Sequence, residues 1–269
     1  MVAVRHSSTW ILHSGSAKSG TRLRQAEICT IRKVESIIGL EKRSHLTEYR
    51  VQSSKQTIRV VCISDTHELH RELDIPPGDI LIHAGDFTLF GKRPSQVSDF
   101  NDWLGELPHA VKIVVPGNHE FLIEADDQAS RLLSNAVLLI NSGVEADGLK
   151  IWGSPVTNLR GAFGLKAEAR LRIFESIPGD TDVLVTHAPP LGILDCETST
   201  LHSGCPLLRE IVTEIKPRLH VFGHIHRSYG HTKIGPTTFL NVSMLAKDGL
   251  LTRTPYVIDL EVNSPSTRR

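Results

Sequence analysis

The chain has no long apolar run. The longest, Ala136–Ile140 (AVLLI), has five residues, against the roughly 20 needed for a helix to cross a bilayer. It reads as a strand, and a spanning helix is excluded. Cysteine is scarce: Cys29, Cys62, Cys196 and Cys205 are the only four in 269 residues, and no two stand at C-x-x-C spacing. That pattern builds no disulfide framework, so a reducing compartment, the cytoplasm, is the expectation. Net charge is also absent, with 30 Lys/Arg against 30 Asp/Glu. No G-x-S-x-G element and no P-loop sequence occurs, which removes support for serine-nucleophile and P-loop nucleotide chemistry. There is no internal repeat and no low-complexity tract. With 40% hydrophobic and 22% charged residues, the composition is that of an ordinary globular chain.

The zero net charge hides an asymmetry. Residues 1–56 hold ten Lys/Arg and four Asp/Glu, and the remainder holds 20 and 26. The start is acid-free to Gln25 and rich in serine, the composition of an organelle transit peptide or of a basic extension that is disordered or partly helical. Ile28, Ile31, Val34 and Ile38 fall at helical spacing and predict one amphipathic helix over 24–39. The acidic body argues against a dedicated nucleic-acid binder. Residues 263–269 read as a polar tail.

From residue 57 the pattern is globular. Apolar, β-rich runs at 58–63, 80–83, 111–115, 136–140, 182–186, 219–222, 237–241 and 256–262 predict strands. Helices are predicted near 95–106, 125–134, 166–176 and 205–215. Asp147-Gly148 marks the turn of a hairpin over 143–155. Strands alternating with helices indicate an α/β layered domain over 57–262.

Fourteen histidines are the unusual count, and many stand at strand ends. Asp65 and His67 follow the first strand, Asp86 the second, and Asn118 and His119 the third. His187 follows the run at 182–186, and His224 and His226 follow the run at 219–222. Ligands gather outside the carboxyl ends of strands in α/β sheets. Seven nitrogen and oxygen donors exceed one tetrahedral ion and suit two metals sharing a ligand. Asp65/His67 and His224/His226 are i, i+2 pairs, so in extended backbone each pair would face one site. Asp86 has two oxygens with which to bridge. Asn118 and His119 would point apart, one to metal and one to substrate.

These motifs in this order, D-x-H, HAGDF at 83–87, IVVPGNHE at 113–120, THAPPLG at 186–192 and LHVFGHIH at 219–226, with FNDWLGELP at 100–108, resemble the calcineurin-like metallophosphoesterase superfamily. They look most like its small metallophosphoesterase-domain proteins of the class III phosphodiesterase type. The resemblance covers about 57–262 and implies a four-layer sandwich of two mixed β-sheets flanked by helices. It implies that Asp65, His67 and His226 hold one divalent metal, that Asn118, His187 and His224 hold another, and that Asp86 bridges them. His119 is then the acid that protonates the leaving group. Donors without a thiolate suit manganese, iron, zinc or nickel, and the resemblance makes manganese the first expectation.

The implied reaction is hydrolysis of small phosphodiesters, cyclic-nucleotide-like ones included, by a hydroxide shared between the cations. A phosphomonoesterase or protein phosphatase of the same superfamily is the runner-up, weakened because Asp86 is followed by Phe87-Thr88-Leu89-Phe90-Gly91 and no arginine. A nuclease and a non-catalytic metal-binding scaffold are further alternatives. The expected partner is a small phosphoester, with no membrane and no nucleic acid; oligomeric state is left open. Around the centre, His83 is read as either a support for a ligand or a backbone-satisfied residue. Phe87 and Thr88 are read as pocket lining or packing, His202 and Cys205 as substrate-loop residues, and Cys62 and Trp103 as core.

Overall fold

The computed structural model describes residues 55–263 except 159, 199 and 247. The predicted helix at 24–39, nearly all of the basic extension and the tail beyond 263 lie outside the described residues.

Eleven strands form two sheets. The first has the order β11-β1-β2-β3-β4, from β1 (Lys55–Ile63), β2 (Ile80–His83), β3 (Val111–Val114), β4 (Val137–Leu138) and β11 (Tyr256–Asn263). Its strands are parallel except β11, which runs antiparallel along β1. The second has the order β5-β6-β7-β8-β10-β9. It comprises β5 (Ser142–Ala146), β6 (Leu149–Ser154), β7 (Val183–Thr186), β8 (Leu219–Phe222), β9 (Gly230–Ile234) and β10 (Thr237–Asn241). Its inner four strands are parallel and its two edges antiparallel.

Period-2 burial makes the layers. Val60 and Cys62 of β1, Ile80 and Ile82 of β2, Val183 and Val185 of β7, and Leu219 and Val221 of β8 point into one shared core between the sheets. The alternate residues point outward and are buried too. Val61, Ile63 and Leu81 pack against α1 (Pro94–Glu106), while Leu184 and Phe222 pack against α4 (Ala167–Glu175) and α5 (Pro206–Ile215). Strands covered on both faces explain why β2, β7 and β8 are buried at every position and mostly apolar, with His220 the polar residue inside β8. The result is the four-layer α/β sandwich.

The helices follow their sequence signals. Pro94 and Pro206 occupy first-turn positions that need no amide donor. In α1 the side chain of Gln96 accepts the Arg93 amide, and Val97, Phe100 and Leu104 form its buried stripe.

Several expectations change. The helix predicted over 125–134 is instead two short ones, α2 (Phe121–Ala125) and α3 (Asp127–Ser130). Asp126 between them is extended, and its carboxylate accepts the Gln128 amide to start the second. The five-residue strand at 136–140 shrinks to two residues. Strand β1 starts at Lys55, three residues before the predicted run at 58–63, and β11 reaches Asn263, one residue past the run at 256–262. Strand β9 was not predicted, because an edge strand reading GHTKI carries no apolar alternation. It pairs with β10 across the Gly235-Pro236 turn, where Gly235 has φ +60°.

Ile82 lies fully buried between the sheets, whereas Val257 is 44% exposed on β11. Ile82→Ala is expected to lower the unfolding free energy by about 2–5 kcal/mol in urea denaturation. Val257→Ala should cost less than about 0.5 kcal/mol; equal losses would show that the inter-sheet layer is not the main core.

Candidate metal centre

The two sheets meet at one edge. The Ser64 amide donates to Val242 O and the Met244 amide to Ser64 O, which ties the end of β1 to the segment after β10. Neighbouring loops are tied crosswise in the same way: Asp65 N to Gly85 O, His67 N to Asp86 O, Gly223 N to His187 O, and Ala162 N to Asn118 O. All seven expected donor residues therefore come to one place.

They arrive by a route different from the one expected. Asp65, His67, Asp86 and His224 have φ of +52°, +41°, +55° and +68°. The i, i+2 pairs are therefore not extended, and left-handed backbone costs a non-glycine residue roughly 1–2 kcal/mol. In such backbone, side chains two apart need not share a face. Asp65 and His67 stay together, but His224 and His226 separate. Asp65, His67 and His226 form one group of donors, and Asp86, His187 and His224 another. Within each group the donor atoms lie within 4.8 Å of one another.

Asp65 Oδ1 lies 3.2 Å from His226 Nε2, which is 3.4 Å from His67 Nε2. In the second group His187 Nε2 lies 2.9 Å from Asn118 Oδ1, 3.1 Å from His224 Nδ1 and 3.2 Å from Asp86 Oδ2. That same Asp86 oxygen is 4.0 Å from His67 Nε2 and 3.9 Å from His119 Nε2, so it stands between the groups. Asn118 and His119 do diverge. Asn118 turns to the second group, while His119 turns to the first, its ring centroid 4.8 Å from that of His67.

Backbone carbonyls fix the tautomers. His187 Nδ1–H donates to Ala84 O (2.9 Å) and His67 Nδ1–H to Thr88 O (3.0 Å). His119 Nδ1–H donates to Leu89 O. In the neutral rings each Nε2 then presents a lone pair inward. Two carboxylates that are 0% and 2% exposed thus face an amide oxygen and several imidazole lone pairs. Only shared protons or cations reconcile so many acceptors. The set of nitrogen and oxygen donors, with carbonyl-oriented histidines, fits divalent metal.

The electrostatics agree. Burial opposes charge on His187, yet the adjacent Asp86 and Asp65 raise it to about 10. Burial would raise Asp65, but His226, His187 and His67 outweigh it and hold Asp65 well below the usual carboxylate range. Burial and the neighbouring His187 push His224 down to about 4.

Two features had only weak sequence signals. Glu120 is 1% exposed. Its carboxylate accepts the amides of Asp86 (2.9 Å), Gly117 (2.6 Å) and Thr88 (2.9 Å) and the Thr88 hydroxyl (2.8 Å). It clasps the β2 and β3 loops together. Burial and the Asp86 charge push Glu120 up to about 7 against the pull of those amides. At Gly117 and Gly223 a Cβ would collide with the carboxylates of Asp86 and Asp65 respectively, so only glycine leaves that space.

The remaining candidates sort cleanly. His83 is a support: it accepts the Gly85 amide and pairs with the Thr66 hydroxyl, and burial pushes it down to about 3. Phe87 does not line a pocket; it is buried and stacks on Phe100 at 4.3 Å. Trp103, Cys62 and Cys205 are core. His202 is bound to the buried Asp195, which also accepts the amides of Gly192 and Gly204 and so closes the 192–204 loop. Cys196 joins them in a separate cluster.

The chain matches the Calcineurin-like phosphoesterase family over residues 58–228. It is 39% identical over 231 residues to metallophosphoesterase domain-containing protein 1 of Homo sapiens, covering 75% of this chain and 71% of that protein. It is 39% identical over 217 residues to the UPF0046 protein K07C11.7 of Caenorhabditis elegans, covering 74% of each. One solved crystal structure, 19% identical, aligns with a TM-score of 0.52 over 69% of this chain and 90% of its own, a likeness of fold. The chain belongs to the calcineurin-like phosphoesterase family, whose members are metal-dependent hydrolases of phosphoesters.

Glu120→Gln puts an NH2 group against buried amides. It should cost about 1–3 kcal/mol in urea unfolding and weaken metal retention, measured by elemental analysis after gel filtration. Unchanged stability and metal content would refute the clasp.

Proposed function

We propose that this calcineurin-like phosphoesterase hydrolyses small phosphodiesters at a pair of divalent cations. Asp65, His67 and His226 would hold one cation, Asn118, His187 and His224 the other, and Asp86 would serve both. The observation that carries this reading is the single Asp86 oxygen standing between two groups of inward-facing lone pairs. When bound, the cations supply Lewis acidity, neutralising phosphoryl oxygens and acidifying the attacking water. Nitrogen and oxygen donors suit manganese, iron, zinc or nickel alike, and manganese is taken first because the family resemblance points to it.

His119 acts on the leaving group. Its Nδ1–H is committed to the Leu89 carbonyl, so the proton it can transfer sits on Nε2, the atom facing Asp86. Its side chain is 28% exposed while that of His187 is fully buried, so His119 can reach a substrate. Protonated, it donates Nε2–H to the departing alkoxide, and the Leu89 carbonyl holds the ring in place throughout.

Charge favours diesters over monoesters. Among the described residues no lysine or arginine side chain hydrogen-bonds to either donor group. Arg253, which lies in the field of Asp65, donates to Ser243 O. A dianionic monoester would gain from a guanidinium turned to the centre; a monoanionic diester needs none.

His119→Ala should keep its metals. Turnover of diesters with alkyl-alcohol leaving groups should fall roughly 10²–10⁴-fold, and nitrophenyl diesters should lose much less. Equal losses for the two classes would count against the acid role.

A further inference from the structure

We propose that Asp195, Cys196 and His202, on the loop between β7 and α5, form a separate site for a single zinc-type cation. Among the described residues this is the one group of three metal-type donors that shares no residue with the groups around Asp65 and Asp86. A carboxylate oxygen, a thiol sulfur and an imidazole nitrogen there lie within 4.8 Å of one another.

The loop places these atoms through its own hydrogen bonds. Asp195 is fully buried, and its Oδ2 accepts the amides of Gly192 (2.9 Å) and Gly204 (3.0 Å). Its Oδ1 is turned to the His202 ring. Cys196 and His202 face each other as an antiparallel bridge, flanked by bonds from the Ser203 amide to Asp195 O and from the Glu197 amide to Leu201 O. Directly opposed residues on paired chains bring their side chains together on one face. The Cys196 backbone is also held from outside the loop: Ser228 Oγ accepts its amide (2.9 Å) and donates to its carbonyl (3.0 Å). Ligands held in position beforehand lose little freedom when an ion arrives.

The distances suit a tetrahedral ion. Cys196 Sγ is 3.5 Å from His202 Nδ1 and 3.8 Å from Nε2. With Zn–S of about 2.3 Å and Zn–N of about 2.0 Å, a tetrahedral angle puts sulfur and nitrogen about 3.5 Å apart. His202 Nδ1 and Asp195 Oδ1 stand 2.6 Å apart, a hydrogen-bond separation. Binding replaces the Nδ1 proton with the ion and opens that pair by less than about 1 Å. The His202 side chain is 47% exposed, so the ring has room to move and leaves a fourth position to water. The thiol also gives up its proton, so binding strengthens as pH rises. The Asp195–His202 hydrogen bond alone would close the loop without any sulfur. The thiol beside the same ring turns that closure into a set of three donors.

The sulfur sets the class of metal. Thiolate ligands select zinc and softer ions, whereas manganese favours oxygen-rich sites, so this loop stays empty when manganese alone is supplied. The site is independent of the phosphodiesterase reading. Its place gives the ion a structural consequence. Ser228 ends the turn His226–Ser228, and Asn241 Nδ2 donates to both Leu194 O and Ile225 O (3.0 Å each). An ion on Cys196 therefore braces the loop against the segment that presents His226.

The test is titration of the full, manganese-loaded chain with cobalt(II), which occupies zinc sites and reveals thiolate coordination by a near-ultraviolet charge-transfer band. Cobalt entering the groups around Asp65 and Asp86 gives no such band, because no cysteine is among their donors. The band should saturate at one cobalt per chain. Cys196→Ser should abolish it, Cys29→Ser should leave it intact, and His202→Ala should weaken cobalt binding on the order of tenfold or more. A second measurement needs no variant: zinc should protect Cys196 of the unmodified chain from iodoacetamide, read by peptide mass spectrometry, because a metal-bound thiolate is no longer free to attack. Absence of the band, its survival in Cys196→Ser, unchanged cobalt affinity in His202→Ala, or alkylation of Cys196 unslowed by zinc would each overturn the proposal.

Discussion

Two carboxylates held almost out of water, Asp65 and Asp86, are the constraint on which the rest depends. A buried charge is costly unless it is paired and hydrogen-bonded. Here pairing comes from four histidines and an asparagine whose inward atoms are mostly lone pairs. The arrangement is coherent only with positive charge at its centre. That requirement links the surrounding details: the carbonyls that take up the outer histidine protons, the glycines that leave no Cβ near the carboxylates, and the glutamate that gathers three amides.

The strain is compensated by the sheets. Four of the donor residues adopt left-handed backbone, a conformation that persists only when its surroundings over-determine it. The surroundings do so through parallel strands buried on both faces and loops hydrogen-bonded to one another rather than to solvent. The core contributes rigidity, and the loop edge spends it on geometry.

Much of this was legible in the sequence. Runs such as ILIH and VLVT read as strands because both faces must be apolar, and Asp147-Gly148 announced its hairpin. The donor set was legible because each motif stands where a strand stops. What escaped has physical reasons. Strand β9 is an exposed edge whose polar residues mimic a loop. The helix over 125–134 broke because Asp126 caps a new turn instead of continuing the old one. Spacing alone put His224 and His226 on one side, whereas the family resemblance set them apart; the structure separates them because left-handed backbone at His224, which spacing cannot reveal, turns one away from the other. Glu120 looked like the end of a motif, and only three-dimensional proximity shows its amide partners.

The most direct measurement is the metal content of the full chain after saturation with manganese and gel filtration, for the unmodified chain and for Asp86→Ala. The account predicts two ions per unmodified chain, one for each donor group, and loss of the pair in the variant. Two ions retained without Asp86, or none bound by the unmodified chain with manganese, iron, zinc or nickel, would contradict it.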